Sequence, residues 1–303
     1  MPGDATGRKV VGVGLSVLDY LVLWQDASRP VAGNRIVAFE AQGGGMVGTA
    51  MTAVARLGGR AEFWGAVGGD SVGDRIVADL AADGIDTSQV RRVEGAAGPF
   101  VVVCVDQPTG ERHFLHYTGA IRQDEPLGDL SRLAGAGAVL IDATHPESQR
   151  RAAAEAQRLG VPVVGDYSPA GAARAGLLAC TDYAIVSEAG LHGPDGAADL
   201  RAACEGLRAA GPRCAVVTRG SGGLAFLDGE RYGEMPAFDV DVVDTTGAGD
   251  VFHGAFCLGL AEGLGVEENL RFASAVAALK CTRLGGRAGI PARSRVDAFL
   301  AGR

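Results

Sequence analysis

The sequence predicts an α/β fold with a central, mostly parallel sheet. Three apolar runs each lead to an acidic residue: 10–17 precedes Asp19, 138–141 precedes Asp142 and 161–165 precedes Asp166. A helical pattern over 146–159 separates the last two runs, and strands that alternate with helices imply parallel pairing. Because ligands of such sheets bind at the carboxyl ends of the strands, we expect these acids to meet at one functional edge.

Composition indicates one enzyme-sized domain over 1–303. The chain has 303 residues, 47% of them hydrophobic, which is enough for one large core. A net charge of −8, a pI near 5.2 and the lack of a Lys/Arg run argue against a nucleic-acid partner. No apolar run reaches the roughly 18 residues of a membrane span, and the N-terminus has no signal-peptide core. We therefore expect a cytoplasmic protein with no membrane partner. Its six scattered cysteines lack paired spacing and are expected to be buried free thiols.

A glycine-rich turn at 244–250, Asp-Thr-Thr-Gly-Ala-Gly-Asp, is the strongest chemical signal. An apolar run over 239–243 enters it and a helical pattern leaves it, which predicts strand, tight turn and helix start. Gly247 and Gly249 would allow positive φ angles and close backbone approach. The exposed N–H groups of such a turn form an anion site that favours phosphate.

Asp250 would lie at the mouth of that anion site. The helix N-terminus should keep its carboxylate ionised, so that it can accept a hydroxyl proton while the amides hold a migrating phosphoryl group. The alternative is that Asp250 only caps the helix. Two Thr and a second Asp in the loop exceed what a cap needs, and they favour the catalytic interpretation.

This motif, followed by Phe-x-Gly-Ala, resembles the C-terminal signature of the ribokinase-like (PfkB) carbohydrate kinases. The resemblance implies an ATP- and Mg²⁺-dependent kinase whose fold is a ribokinase-like three-layer sandwich. It also implies a small β-strand lid over the sugar, formed by about 20–42 and 98–120. In that family the last Asp is the catalytic base and the Gly-Ala-Gly amides form the anion hole. These roles fall on Asp250 and on Gly247, Ala248 and Gly249.

The family's first signature resembles the segment 43–58, where Gly44 and Gly45 precede a helix that ends in Ala-Arg-Leu-Gly. The expected Asn is Thr49, which offers only a hydroxyl to the sugar. By the same resemblance Asp19 hydrogen-bonds sugar hydroxyls and Asp142 lies toward the sugar. From the lid, His116 is expected to project toward an anionic substituent.

The resemblance also implies a nucleotide site and an ion site. Asp166 faces the metal and phosphates, and Glu188 stands in for the glutamate of an Asn-x-x-Glu motif that Ser187 and Gly190 replace. The nucleotide loop comprises Thr218, Gly220 and Gly223. A potassium-type ion site corresponds to Asp244, Thr246, Lys280, Arg283 and Gly285.

Within the family, segments 238–255 and 271–291 look most like the bacterial sulfofructose kinases. The predicted substrate is a ketohexose-like sugar of the sulfofructose or fructose type, phosphorylated to the 1-phosphate or a corresponding phosphoester. A nucleoside or ribose kinase, or a sugar-binding regulator without turnover, is the alternative. A lid strand with a free edge could also pair two chains into a homodimer.

Overall fold

The computed structural model describes residues 9–26, 35–107, 112–119, 121, 126–167, 176–191 and 199–302. The strands, in chain order, are β1 (Val10–Val13), β2 (Val17–Trp24), β3 (Ile36–Gly44), β4 (Ala61–Trp64), β5 (Ala66–Gly68), β6 (Arg91–Val93), β7 (Phe100–Asp106), β8 (Arg112–Tyr117), β9 (Ala138–Ile141), β10 (Val163–Asp166), β11 (Tyr183–Ser187), β12 (Cys214–Thr218), β13 (Leu224–Asp228) and β14 (Arg231–Met235). The α-helices are α1 (Met46–Arg56), α2 (Ser71–Ala82), α3 (Pro146–Arg158), α4 (Leu200–Ala209), α5 (Ala248–Glu262), α6 (Val266–Cys281) and α7 (Arg293–Ala301).

The larger sheet has eight strands in the order β14-β13-β12-β11-β10-β9-β1-β4. Neighbours from β4 to β12 are parallel, and β13 and β14 extend the sheet by antiparallel pairing. The predicted α/β class with a central, mostly parallel sheet is confirmed. The parallel order places the ends of β1, β9, β10, β11 and β12 along one edge, where the predicted site residues should gather.

Helices cover both faces of this sheet. Strands such as β9 are buried on both sides and therefore consist only of apolar residues. Leu140 packs into the core beneath α1, α5 and α6, whereas its neighbour Val139 packs into the opposite core beneath α3 and α4. The result is three layers with two cores. Among the described residues, no helix is both long and apolar enough to cross a lipid bilayer.

A second sheet of four strands, β3-β2-β7-β8, is formed by the segments for which a lid is predicted. The register places Gln42, Asp19, Val101 and His116 opposite one another, one from each strand. Residues paired in this way point to the same face of a sheet. The outer strands expose apolar side chains, including Ile36, Phe39 and Leu115.

Asp19 lies in this second sheet and not at the end of a central strand, as the apolar run 10–17 had suggested. Strand β1 ends at Val13, and β2 begins at Val17 and carries Asp19 as its third residue. The break is held by a tertiary contact, since the Leu15 amide donates to the Asp142 carboxylate at 2.8 Å. Hydrophobicity continues across the break, so the pattern alone could not reveal it.

Helices α1 and α5 approach each other closely at a glycine. A Cβ on Gly254 would overlap the backbone of Ala50 in α1. Helix α5 is buried continuously from Val251 to Gly259, so this contact lies inside the core. The glycine therefore fixes how near the start of α5 lies to the start of α1.

We expect Gly254→Ala to lower the free energy of unfolding by about 1–3 kcal/mol, because the new methyl group forces two packed helices apart. Thermal and urea unfolding measure the change. The matched control is Gly206→Ala in α4, where a Cβ meets no atom within 4 Å and a gain of up to about 1 kcal/mol is expected. Equal effects of the two substitutions would contradict the packing argument.

Candidate active site

The predicted glycine-rich turn leads into α5 as expected, but the segment before it is not a strand. Residues 239–243 are extended without sheet pairing, and Val242 and Val243 are exposed. The amides of Val243 and Asp244 instead donate to the Cys281 carbonyl at 2.8 and 3.1 Å. Val240 and Val242 are apolar because they line a cavity and not because they belong to a sheet.

The turn presents open amides toward solvent at the start of α5. Gly247 has φ 72° and is the residue before the helix, as predicted. Gly249 lies within the first turn and has no positive φ, so that part of the prediction was wrong. Gly249 instead faces open space, since a Cβ there would meet no atom within 4 Å. Gly249 thus keeps the mouth of the turn open.

Not every predicted amide is available to a ligand. The Ala248 amide donates to the Thr245 carbonyl at 3.1 Å, which closes the turn. Among the described residues, no acceptor takes the amides of Gly247, Gly249 or Asp250. The predicted anion site would therefore use the amides of Gly247, Gly249 and Asp250, because Ala248 is engaged inside the turn.

Asp250 is half-buried in the first turn of α5, and no described residue donates a hydrogen bond to its carboxylate. Burial and the nearby charge of Asp166 raise its pKa to about 7, against the opposing influence of His253 and Arg287. The expectation that the helix N-terminus keeps it fully ionised does not hold in the free protein. A carboxylate with a pKa near neutrality is suited to accept a proton.

His253, which the sequence had not singled out, lies one turn after Asp250 and is buried beneath the glycine-rich turn. Burial lowers its pKa, so the ring is neutral, and Nδ1 lies 2.7 Å from the Gly249 carbonyl. The same nitrogen lies 3.4 Å from Asp166 at the end of β10. His253 therefore connects the glycine-rich turn at 244–250 to the edge of the central sheet.

Asp166 is buried, and burial together with the charge of Asp142 raises its pKa to about 8. Asp142 is held by hydrogen bonds from within the protein. One oxygen accepts from the Leu15 amide and the other from the Thr144 amide and hydroxyl and from Gln149. These bonds support the break between β1 and β2, and the predicted position of Asp142 toward the sugar stays a prediction.

On the acceptor side, Asp19 lies against Gly44, where a Cβ would overlap its carboxylate. Burial raises the pKa of Asp19 to about 6, although the positive charge of Arg287 opposes the shift. Gly45 has φ 83° and is the residue before α1, so its contribution is to the backbone conformation. No described residue hydrogen-bonds the Asp19 carboxylate, which leaves it available to a ligand.

Arg287 is the largest omission of the sequence interpretation. Its buried guanidinium donates to the Gly44 carbonyl at 2.7 Å, to Ser16 at 3.3 Å and to Thr49 at 3.4 Å. Burial lowers its pKa to about 10, where it is still charged at neutral pH. Thr49, found where an Asn was expected, is thus a partner of Arg287. Only tertiary structure could reveal this, since more than 230 residues separate the two.

His116 is exposed on β8, in the same row as Asp19 and Gln42. Two strand spacings of about 4.8 Å separate it from Asp19 along that row. The expectation that His116 projects from the lid toward an anionic substituent stays a prediction. His113 points to the opposite face of the same strand, because side chains alternate.

A cavity of about 660 Å³ adjoins the other side of the turn. It is mainly apolar and reaches Gly249 and Phe252 at one end and Ala277 of α6 at the other. The three residues predicted for the nucleotide loop, Thr218, Gly220 and Gly223, all line it. Gly223 has φ 83°, and a Cβ there would overlap the Met235 carbonyl.

Glu188 lies beside this cavity, in a short 3-10 turn that follows β11. Its carboxylate is 3.7 Å from Arg219, the residue after Thr218. Parallel pairing of β11 with β12 places Ser187 next to Thr218 and so brings the two segments together. Among the described residues, no group of three His, Cys, Asp or Glu side chains could hold a metal ion.

Four of the five residues predicted for an ion site meet at the start of the turn. The Asp244 carboxylate accepts from the amides of Thr246 and Gly285, each at 2.8 Å, and its carbonyl accepts from the Lys280 ammonium at 2.8 Å. Arg283 lines a separate outer groove.

Comparison with known proteins identifies the family. The family model described as pfkB family carbohydrate kinase matches residues 8–293. Ribokinase from Bacillus subtilis is 29% identical over 97% of this chain and 99% of its own length, and fructokinase-1 from Zea mays is 30% identical over 96% and 98%. Ribokinase from Thermotoga maritima has a TM-score of 0.87 at 27% identity, covering 97% of this chain and 99% of its own. Arabidopsis thaliana ribokinase, complexed with ribose and ATP, has a TM-score of 0.85 at 25% identity, covering 97% and 99%.

The chain therefore belongs to the pfkB family of carbohydrate kinases, which are phosphotransferases acting on sugar hydroxyl groups. The predicted ribokinase-like fold is confirmed by the two ribokinase structures. The relatives are named ribokinase and fructokinase.

The pKa of Asp250 generates a prediction about pH dependence. A general base must be ionised, so kcat/KM for the sugar should rise with pH to a plateau, with an apparent pKa of about 7. Initial rates between about pH 5.5 and 9 at constant ionic strength measure the profile. A profile that is flat down to the acid end would show that the catalytic carboxylate has an ordinary pKa.

Proposed function

We propose that this kinase transfers the γ-phosphoryl group of ATP to a hydroxyl of a ketohexose-like sugar of the sulfofructose or fructose type. The observation that carries the proposal is the position of Asp250. No described residue donates a hydrogen bond to its carboxylate, the preceding Gly249 lines the cavity assigned to the nucleotide, and the charges of Asp19 and Arg287 influence its pKa. A base between donor and acceptor subsites is what direct transfer requires.

In this proposal Asp250 accepts the proton of the attacking hydroxyl. The open amides of Gly247 and Gly249, at the positive end of α5, stabilise the negative charge of the migrating phosphoryl group. His253 holds the Gly249 carbonyl and so preserves the orientation of this turn. Asp19 orients the sugar through its hydroxyls.

ATP is assigned to the cavity lined by Thr218, Gly220 and Gly223, with α6 beside the base. The ribokinase complexed with ribose and ATP supports ATP as the phosphoryl donor. Magnesium bound with the nucleotide would neutralise charge on the phosphate oxygens. Asp166 and Glu188 would hold it through water, which suits an ion that needs few protein ligands.

The acceptor site supports a substrate that carries an anionic group. His116 on the lid and the buried cation Arg287 contribute positive or protonatable groups on the side of Asp19. Ribose is the second candidate, favoured by the relatives named ribokinase. A nucleoside kinase and a regulator without turnover remain outcomes of the substrate test.

The proposal extends to cellular setting and assembly. We place the enzyme in the cytoplasm, where ATP is available. Strands β3 and β8 form the two edges of the lid sheet and expose Ile36, Phe39, Leu115 and Tyr117. Exposed edges with apolar side chains favour pairing with another strand, and we propose that two chains associate through the lid.

We expect Asp250→Asn to fold normally and to reduce turnover by about 100-fold or more, because the amide cannot accept the proton. ADP release with magnesium is measured across fructose, sulfofructose, fructose 6-phosphate, ribose and adenosine. The control is Asp241→Asn, an exposed acid outside the turn. The kinase is supported if one sugar gives clear ADP release with the natural chain and with Asp241→Asn but not with Asp250→Asn. Near-normal turnover in the folded variant removes Asp250 from the mechanism, and ATP binding without ADP formation in the natural chain favours the regulator.

His116→Ala tests the anionic substituent. Loss of one charge-assisted contact should raise KM about tenfold for sulfofructose and leave KM for fructose unchanged. His113→Ala on the opposite face of β8 is the matched control and should leave both values unchanged. Equal changes in KM for the two sugars in His116→Ala would show that this side chain does not contact the anionic substituent.

A further inference from the structure

Lys280 is a fully buried cation whose charge has no part in the mechanism described above. The chain contains only two lysines, Lys9 and Lys280, whereas the remaining positive charges are arginines. Lys9 is near the surface and pairs with Glu62. The other lysine is enclosed at the C-terminal end of α6, behind the turn that carries the open amides.

The ammonium group is bound to that turn. Lys280 Nζ donates to the Asp244 carbonyl at 2.8 Å, at the residue where the turn begins. The carboxylate of the same Asp244 is fixed by the Thr246 and Gly285 amides. The end of α6 is also bound to the turn through the Cys281 carbonyl, which accepts from the Asp244 amide. Lys280 therefore connects α6 to the backbone that shapes the anion site.

A buried ammonium needs a compensating negative charge, which Asp244 supplies. Burial opposes ionisation of Asp244, but hydrogen bonds from Thr246 and Gly285 and the charge of Lys280 outweigh it and lower its pKa. The Asp244 carboxylate is therefore ionised. A metal cation that approached this carboxylate would be repelled by the ammonium already present.

The backbone of Lys280 is also closely packed. Gly289 packs so closely against the Lys280 carbonyl that a Cβ there would overlap it. A lysine presents its charge as a compact group with three donors, whereas a guanidinium is broad and planar. A compact ammonium suits a fully enclosed position, since it has fewer donors to satisfy than a guanidinium.

We propose that the Lys280 ammonium is a built-in monovalent cation that positions the glycine-rich turn at 244–250, so that turnover requires no potassium-type ion. The inference deepens the proposed kinase function and rests on it for its activity readout. An ammonium group carries the same charge as K⁺ and similarly prefers carbonyl oxygens. The residues predicted for a potassium-type site thus hold a side chain of the protein itself.

The first experiment uses the natural chain. ADP release is measured with the preferred sugar in choline chloride and in KCl at equal ionic strength. We expect rates within about twofold of each other, because the two salts screen charges equally and no specific K⁺ effect is expected. Stimulation by KCl of tenfold or more would overturn the proposal without reference to any variant.

The second experiment replaces the ammonium by a neutral group of similar length. Lys280→Met should lose about 100-fold in turnover in choline chloride, because the turn shifts slightly. Adding KCl or NH₄Cl should raise the turnover of this variant at least tenfold, and LiCl should raise it less. Lys9→Met is the matched control and should behave as the natural chain. Loss without rescue would show that Lys280 is only structural and would overturn the proposal.

Thermal unfolding provides a readout that does not depend on turnover. The Tm of Lys280→Met should rise in KCl relative to choline chloride, whereas the natural chain should show no such specific rise. If the natural chain releases no ADP with any sugar, the kinase proposal fails while this measurement still decides the cation proposal. If Lys280→Met does not fold, Lys280→Gln takes its place. A KCl-specific Tm rise in the natural chain would contradict the built-in cation.

Discussion

The close approach of α5 to α1 is the constraint on which the site depends. Gly254 allows the two helices to touch at Ala50, and this contact sets the distance between their N-terminal ends. One end carries Asp250 and the open amides, and the other begins beside Gly44 and Thr49. Donor and acceptor subsites are thus positioned by the core, not by flexible loops.

The sequence predicted those parts of the site that depend on local chemistry. The α/β class follows from strand and helix alternation, and the position of Asp250 at a helix start follows from one contiguous motif. The buried position of Arg287 and the internal partners of Asp142 could not be predicted, because those partners lie far along the chain and a charged residue carries no local sign of burial. The prediction of a strand at 239–243 was wrong for the opposite reason. Its apolar side chains face a ligand cavity, and hydropathy cannot distinguish that from a sheet.

The acids at the sheet edge repel one another, and the structure manages this by protonation and by buried cations. Burial and mutual repulsion raise the pKa of Asp250 to about 7 and of Asp166 to about 8. Arg287 opposes the shift at Asp19 and Asp250. The buried charge of Arg287 therefore moderates the carboxylates at this edge.

Separation of the two subsites onto different elements has an evolutionary consequence. In the proposed function, one face of the lid sheet contacts the acceptor, whereas the cavity assigned to the nucleotide is lined by β12, the segment before the turn, and α6. Substitutions at positions such as His116 would then alter the preferred sugar while phosphoryl-donor binding and the core stay intact. This modularity allows an ancestral scaffold to acquire new acceptors through a few surface changes.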